Sequence, residues 1–576
     1  MKKQNIPVGI SAFSEIRRNG YYYVDKSGLI SELLETEAVK VTLITRPRRF
    51  GKTLAMNMLA DFLDIEKDSR ILFEGLEISE KTELCEKWMN RCPTIFLSFK
   101  DVDGRNFESA KGMLRSRIAE LYNRHASLAD SLRVNENDRK IFRELADVVD
   151  GSPTDDMLKT AVSLLMRMMR DHYGKRVVLL LDEYDVPLAK ASSGGYYEEM
   201  LEVMKALLGT ALKDNDALQL AVVTGCLKIA KESIFTGTNN FVSDTISSTR
   251  LNEYFGFTQK DVDGILRELD AFDRREEMKL WYDGYRFGNT DVYCPWDVMN
   301  YANALISDPL AKPSGYWKNT SDNAIIRSFI DHAGSSITKK LETLLDGGMI
   351  VQKIEEELTY DYLHSSEDNL WSILYLTGYL TKDDGAAQDV LIPAGMSALK
   401  IPNAEIREIF ETTIMKWFDD SAKEWNRRAL FEAVWSGDSE GLTEEMSRLL
   451  RRTISYHDYR EDFYHAFLAG IFAGAGYTVE SNREHGEGRS DVAVYDPVNG
   501  RAAVFEAKYA QSLQDMEKSC EAALKQMDER QYAEALEDDY DSVLCYGISF
   551  FQEALPCPAE ITFCKKVYPD PFGTYF

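Results

Sequence analysis

Val41–Thr53 reads VTLITRPRRFGKT. Its first five residues are β-branched or apolar, Arg46-Pro47 follows as a turn, and Gly51-Lys52-Thr53 opens an apolar-periodic stretch, Leu54–Leu63. The order is strand, loop, helix. The first N–H groups of a helix have no intrahelical partner and lie at the positive end of its dipole, so this order suits a phosphate chain. Gly51 lets the backbone approach the phosphates, Lys52 supplies a point charge for the β and γ oxygens, and the Thr53 hydroxyl suits Mg²⁺. The general P-loop pattern also has a glycine at position 46, where this chain has Arg46. Gly-Lys-Thr alone also caps ordinary helices; the apolar strand before it is what favours phosphate binding.

A second apolar run, Val177–Leu181, has the look of a strand buried on both faces, and Asp182-Glu183 stands at its C-terminal end. In an open parallel sheet, ligands bind at that end. Asp182 is expected to hold the Mg²⁺ that Thr53 also touches, and Glu183 to orient or deprotonate an attacking water. Asp-Glu after a core strand is common by itself. Downstream of strand-GKT-helix it becomes a constellation for ATP hydrolysis. A third run, Leu218–Val223, ends in Thr224, a position suited to sensing the γ-phosphate. Before the P-loop, Tyr21-Tyr22-Tyr23 allows two readings, a base-stacking surface or a strand packed on the core, and the second is the commoner outcome.

At 576 residues the chain calls for two to four domains, and 44% hydrophobic with 28% charged residues is a soluble composition. The net charge of −27 argues against indiscriminate coating by nucleic acid, though not against a local basic groove. The 8 cysteines are scattered without a Cys-x-x-Cys pair, so a zinc site or disulfide frame is not expected. No secretory h-region and no long apolar span occurs, which points to a cytoplasmic protein with no membrane segment.

Arg46-Pro47-Arg48-Arg49-Phe50-Gly51-Lys52-Thr53, Leu181–Leu188, Ser233-Ile234-Phe235 with Asn239-Asn240, and Trp281–Gly288 together resemble the bacterial AAA-ATPase-like family. In that family an Arg-Pro-Arg-Arg-Phe run commonly replaces the first P-loop glycine, and a nuclease-fold domain usually follows. The resemblance implies an ATP site at Arg48, Arg49, Phe50, Gly51, Lys52, Thr53, Asp182 and Thr224. Many P-loop ATPases work as rings, so a homo-oligomer is a further expectation.

From Glu461 the pattern changes to a helix, Asp462–Ala475, and short strands. Val492–Tyr495 and Ala502–Lys508 flank Asp496-Pro497-Val498-Asn499-Gly500, a strong turn signal, and form a hairpin. A symmetric turn sets Tyr495 opposite Ala502 and therefore Asp491 opposite Glu506. Lys508 shares their face, while Phe505 and Ala507 point to the core. Two carboxylates and a lysine suit metal-assisted phosphodiester cleavage, with Asp491 and Glu506 as Mg²⁺ ligands and Lys508 positioning water. The pattern resembles the PD-(D/E)XK nucleases, with Ser490 in place of the usual proline; Glu461 and Gln526 resemble accessory residues of that group. Glu-x-Lys alone is common on surface hairpins.

The expected fold class is α/β: a P-loop NTPase core (1–250), a helical lid (251–345), a helical connector (346–455) and a restriction-endonuclease-like α/β domain (456–576). The expected function is an ATPase coupled to a Mg²⁺-dependent nuclease acting on nucleic acid, DNA or RNA. The alternative is an ATP-dependent regulatory switch whose C-terminal fold binds without cutting.

Overall fold

The computed structural model describes residues 5–36, 38–147, 154–229, 241–317, 335–345, 347–358, 366–383, 392–413, 427–453, 468–469, 471–472, 475, 477–481, 484–485, 488–489, 492–510, 512–537, 539–551 and 560–568. The chain divides into two compact units, one of residues 1–322 with 347–409, the other of 323–346 with 410–576. Among the described residues no helix is long and apolar enough to cross a membrane.

The first unit is built on five parallel strands: β1 (Val41–Thr45), β2 (Thr94–Ser98), β3 (Val177–Asp182), β4 (Leu218–Gly225) and β5 (Phe241–Asp244). Their order is β2-β3-β4-β1-β5. The apolar runs follow from this position. Alternate residues of β3 face opposite ways: Val177, Leu179 and Leu181 join one core, Val178 and Leu180 the other. The helix α1 (Lys52–Leu63) covers the second face, and α2 (Phe107–Arg124), α3 (Asp155–Tyr173) and α4 (Tyr197–Leu212) cover the first. The sequence places stops where they are found: Thr154 Oγ1 accepts from Met157 N to cap α3, and left-handed Gly174 ends it.

After the sheet come α5 (Gln259–Glu268) and α6 (Pro295–Ser307), as the sequence suggests. Thr258 and Asp261 close a reciprocal capping box at the start of α5. The stretch read as a wholly helical lid also contains a hairpin, β6 (Tyr285–Phe287) and β7 (Thr290–Val292), turning at Gly288. Tyr285 and Phe287 before Gly-Asn, and Thr290 and Val292 after it, are strand formers that decide this. The stretch read as a helical connector differs more. It holds a three-stranded antiparallel sheet of β8 (Ile350–Lys353), β9 (Thr381–Lys382) and β10 (Met396–Lys400), with α7 (Glu367–Leu376) between its strands. These strands are too short to show a period-2 pattern in sequence. Asn403 caps the next helix, its Oδ1 accepting from Ile406 N at 3.0 Å.

In the second unit, β11 (Thr478–Ser481), β12 (Val492–Asp496), β13 (Arg501–Tyr509), β14 (Ser542–Phe551) and β15 (Glu560–Tyr568) lie in that order. Only β13 and β14 run parallel. The helices α8 (Arg427–Ser436) and α9 (Ser439–Thr453) pack on the Phe505 face of this sheet, and α10 (Met516–Glu529) packs on the other.

Candidate active sites

In the first unit, three strand ends meet. Because β4 stands between β1 and β3, Ile44 pairs with Thr224, and Val223 with Leu181, which brings Thr224 and Asp182 level with the P-loop. Thr53 Oγ1 donates to Asp182 Oδ2 at 2.9 Å, and Thr224 Oγ1 donates to Asp182 Oδ1 at 2.6 Å. Each carboxylate oxygen thus has its own hydroxyl, and the group is held still in a buried place. Mg²⁺ takes few protein ligands, prefers hard oxygens and keeps waters or phosphate oxygens for the rest. Thr53 Oγ1 and Asp182 Oδ2 fit that demand.

Gly51, at φ +80°, caps α1, whose first N–H groups have no intrahelical partner and no side-chain cap. Lys52 Nζ folds back onto its own loop and donates to the carbonyls of Arg46 and Pro47, each at 2.8 Å. A phosphate would offer it charged acceptors instead. Glu183 holds a left-handed backbone, φ +53°, and lines the same cavity as Lys52 and Thr53. Burial, and then Asp182 beside it, push its carboxyl above the usual range.

The arginine run divides by role. Arg46 is fully buried: its NH1 donates to the carbonyls of Thr45 (2.8 Å) and Asp244 (2.9 Å), and its guanidinium lies 5.4 Å from the ring centres of both Phe255 and Phe287. Arg48 is exposed. Arg49 lines the same cavity as Gly51–Thr53, and its guanidinium stacks over Trp296 and Trp317. Phe50 reaches the cavity wall, but its ring is buried against Tyr285 and Phe287, so only its main chain suits a ligand. The motif Trp281–Gly288 therefore works as a buttress beneath the P-loop.

The cavity measures about 360 Å³, within the range usual for small-molecule sites. Its lining includes Arg49–Thr53 and Glu183, together with Pro7–Ser11, Tyr22, Lys26, Phe257 and Trp296. Tyr22 and Tyr23 form no strand. Both line the cavity, and Tyr23 also packs edge-on against Phe13. The part played by 7–11 and Trp296 is not visible in the sequence, since apolar residues near a Pro-Gly or a helix start carry no ligand signal. Asp185 also escaped notice: its Oδ2 accepts from the N–H groups of Cys226 (2.9 Å) and Leu227 (3.0 Å), fixing the loop that follows Thr224.

In the second unit, the observed ladder sets Tyr495 opposite Ala502 and runs as far as Val492 opposite Phe505. Asp491 and Glu461 lie outside the described residues, as do Ser233-Ile234-Phe235 and Asn239-Asn240. Glu506 is buried on the α10 face, where Lys508 Nζ lies 3.3 Å from its Oε1 and Gln526 Nε2 donates to the same oxygen. Phe505 and Ala507 face the opposite core. Among the described residues no three His, Cys, Asp or Glu side chains gather to hold a metal. Glu506 is the one predicted carboxylate of this domain's site that the structure places among the described residues.

A parallel sheet of this order, with a P-loop lysine and a Thr-Asp-Thr chain at its carboxyl edge, defines the core of a P-loop ATPase-like domain. Residues 7–235 match the family model described as a predicted AAA-ATPase, and residues 459–556 match that of the PD-(D/E)XK nuclease superfamily, so the chain joins one domain of each kind. A protein of Azotobacter chroococcum mcd 1, named as an uncharacterized protein in the vnfD 5′ region, is 25% identical over 567 residues, covering 96% of this chain and 98% of that one.

Proposed function

We propose that the first unit binds and hydrolyses ATP and that the C-terminal domain cleaves nucleic acid in a manner coupled to the nucleotide. The observation that carries the first part is the Thr53–Asp182–Thr224 chain beside Lys52. The N–H groups behind Gly51 would hold the β-phosphate, and Lys52 would exchange its loop carbonyls for phosphate oxygens. Thr53 and Asp182 would hold Mg²⁺, whose charge offsets that developing on the phosphates. Glu183 would orient the attacking water and take its proton, and its raised pKa brings the carboxylate nearer to the strength such a base needs. Thr224 keeps Asp182 oriented.

In the C-terminal domain, Glu506 with Asp491 would hold Mg²⁺, and Lys508 would position water. Gln526 fixes the Glu506 carboxyl. The alternative, a switch whose C-terminal fold binds without cutting, draws on the net charge of −27. Incubating wild type, Lys52→Ala and Glu506→Ala with single- and double-stranded DNA and RNA, Mg²⁺ or Mn²⁺, with and without ATP, tests both parts. ATP turnover lost in Lys52→Ala and cleavage lost in Glu506→Ala support the reading. ATP turnover without cleavage under any condition leaves the switch.

A further inference from the structure

Beneath the P-loop lie two buried acids that no step above uses. Asp297, in the first turn of α6, and Glu405, in the helix over 404–413, are both fully buried. Their carboxyls lie against each other, and Trp317 N donates to Glu405 Oε1 at 2.7 Å. Apart from the weak Cys294 thiol, the described residues offer no donor to either oxygen of Asp297 or to Glu405 Oε2. Two buried carboxyls in contact, with no strong donor at the oxygens that meet, are held together by a proton between them.

The cation whose field they share is Arg49. It is reached through the indoles: its guanidinium lies 5.5 Å from the Trp296 ring, next in sequence to Asp297, and 5.8 Å from the Trp317 ring, whose N–H is on Glu405. Its NH1 also donates to Tyr316 O at 3.3 Å, and its own carbonyl faces the Cys294 thiol. Arg49 meanwhile stands at φ +72°, two residues before left-handed Gly51. A residue with a Cβ stays in that conformation only where its surroundings hold it. Side-chain anchorage and loop shape are therefore linked.

We propose that Asp297 and Glu405 are positioning residues for the phosphate-binding loop: they anchor Arg49 to the lid and so hold the loop in the shape that receives a nucleoside triphosphate. The proposal rests on the reading of the P-loop as a nucleotide site. One shared proton leaves the pair with a single negative charge opposite the single positive charge of Arg49. Burial and then Asp297 push Glu405 up, and burial pushes Asp297 up, with Glu405 the partner that gives its proton to the contact and Asp297 the one that accepts it. The groups facing the pair are Arg49 and Cys294, with Tyr282, Tyr285 and Tyr316 around them and Tyr379 beside Arg49.

The test is a fluorescence titration with an N-methylanthraniloyl ATP in Mg²⁺, from pH 5.5 to 8.5, on the full chain and on Lys52→Ala, Asp297→Asn and Glu405→Gln. Both amides keep the shape, so a merely structural role would make them alike. The expected result is an affinity roughly 10-fold lower for Asp297→Asn, within the usual range of coupling between sites, and close to wild type for Glu405→Gln. The wild-type affinity should also fall, relative to Asp297→Asn, as pH drops through about 6, a ratio from which the nucleotide's own titration cancels. Equal affinities for wild type and Asp297→Asn, or equal losses in the two amides, overturn the proposal and leave the nucleotide reading intact. A wild type that binds no better than Lys52→Ala overturns both. Should Asp297→Asn fail to fold, Arg49→Gln carries the test: the proposal is lost if that variant keeps wild-type affinity and pH profile.

Discussion

Replacing Arg46 by glycine would restore the residue that the general P-loop pattern has at this position, and the structure predicts that it harms the protein. Two hydrogen bonds from NH1 to the carbonyls of Thr45 and Asp244 would go, each worth roughly 1.5–3 kcal/mol when the donor is charged. Two desolvated contacts with Phe255 and Phe287 would go with them, about 2 kcal/mol each. Against this stands the burial of the guanidinium. That burial pulls its pKa down to about 10, a cost on the order of 3 kcal/mol. The expected net loss is about 4 kcal/mol, at the low end of that balance because a glycine loop can partly collapse into the vacated slot. Arg46→Met keeps the apolar stem and loses the donors, so about 2 kcal/mol is expected there. Urea unfolding followed by tryptophan fluorescence measures both, with the order glycine, methionine, wild type in rising midpoint. An Arg46→Gly protein with the wild-type midpoint and slope, or one that binds nucleotide as tightly as wild type, would falsify the claim that this side chain holds the loop.

Thr224→Val keeps shape and removes the donor to Asp182 Oδ1; the loss should be roughly 1.5–3 kcal/mol in urea unfolding and about tenfold or more in ATP turnover. Unchanged turnover would mean that Asp182 needs no such support. Gly284→Ala places a Cβ 2.0 Å from Pro402 O on a backbone at φ +97°, so a loss of roughly 3 kcal/mol is expected, read as a lower melting temperature. Asp138 accepts from Arg167 Nε and NH2, both at 2.8 Å, and those bonds hold its pKa below the ordinary carboxylate value. A depressed folded-state pKa gives stability that is present above the unfolded value and lost as pH falls through the folded one. An acid titration of stability should therefore lose that step in Asp138→Asn, and identical acid profiles would refute the pairing.

The parts legible in the sequence are those whose signals lie close together along the chain. Strand, turn and Gly-Lys-Thr occupy thirteen consecutive residues, and an apolar run ending in Asp182 needs no partner to be seen. The hairpin register could be counted out from Asn499-Gly500, and Tyr495 does pair with Ala502. Asp297 and Glu405 could not be found this way. One looks like an ordinary acid in the first turn of a helix, the other like a surface residue after an Asn cap, and they come from elements more than a hundred residues apart. Phe287 and Arg46 share that difficulty: an aromatic in a strand and a basic residue in a loop each have commoner explanations than a buried stack. The hairpin at Gly288 and the sheet of β8, β9 and β10 were missed because two- to five-residue strands carry too little periodicity.

Lacking the first glycine changes what kind of object the P-loop is. A glycine at 46 would let the loop turn through its own freedom, so its shape would be a local property. Here the turn is set by Arg46 between two aromatic rings, by Phe50 under Tyr285 and Phe287, and by Arg49 in the lid. The rings at 285 and 287 and the indoles at 296 and 317 all come from chain beyond the five-stranded sheet. The loop's shape is therefore a tertiary property, and whatever moves those residues reaches the proposed phosphate site directly. In such a domain, nucleotide affinity and lid conformation are two readings of one packing arrangement.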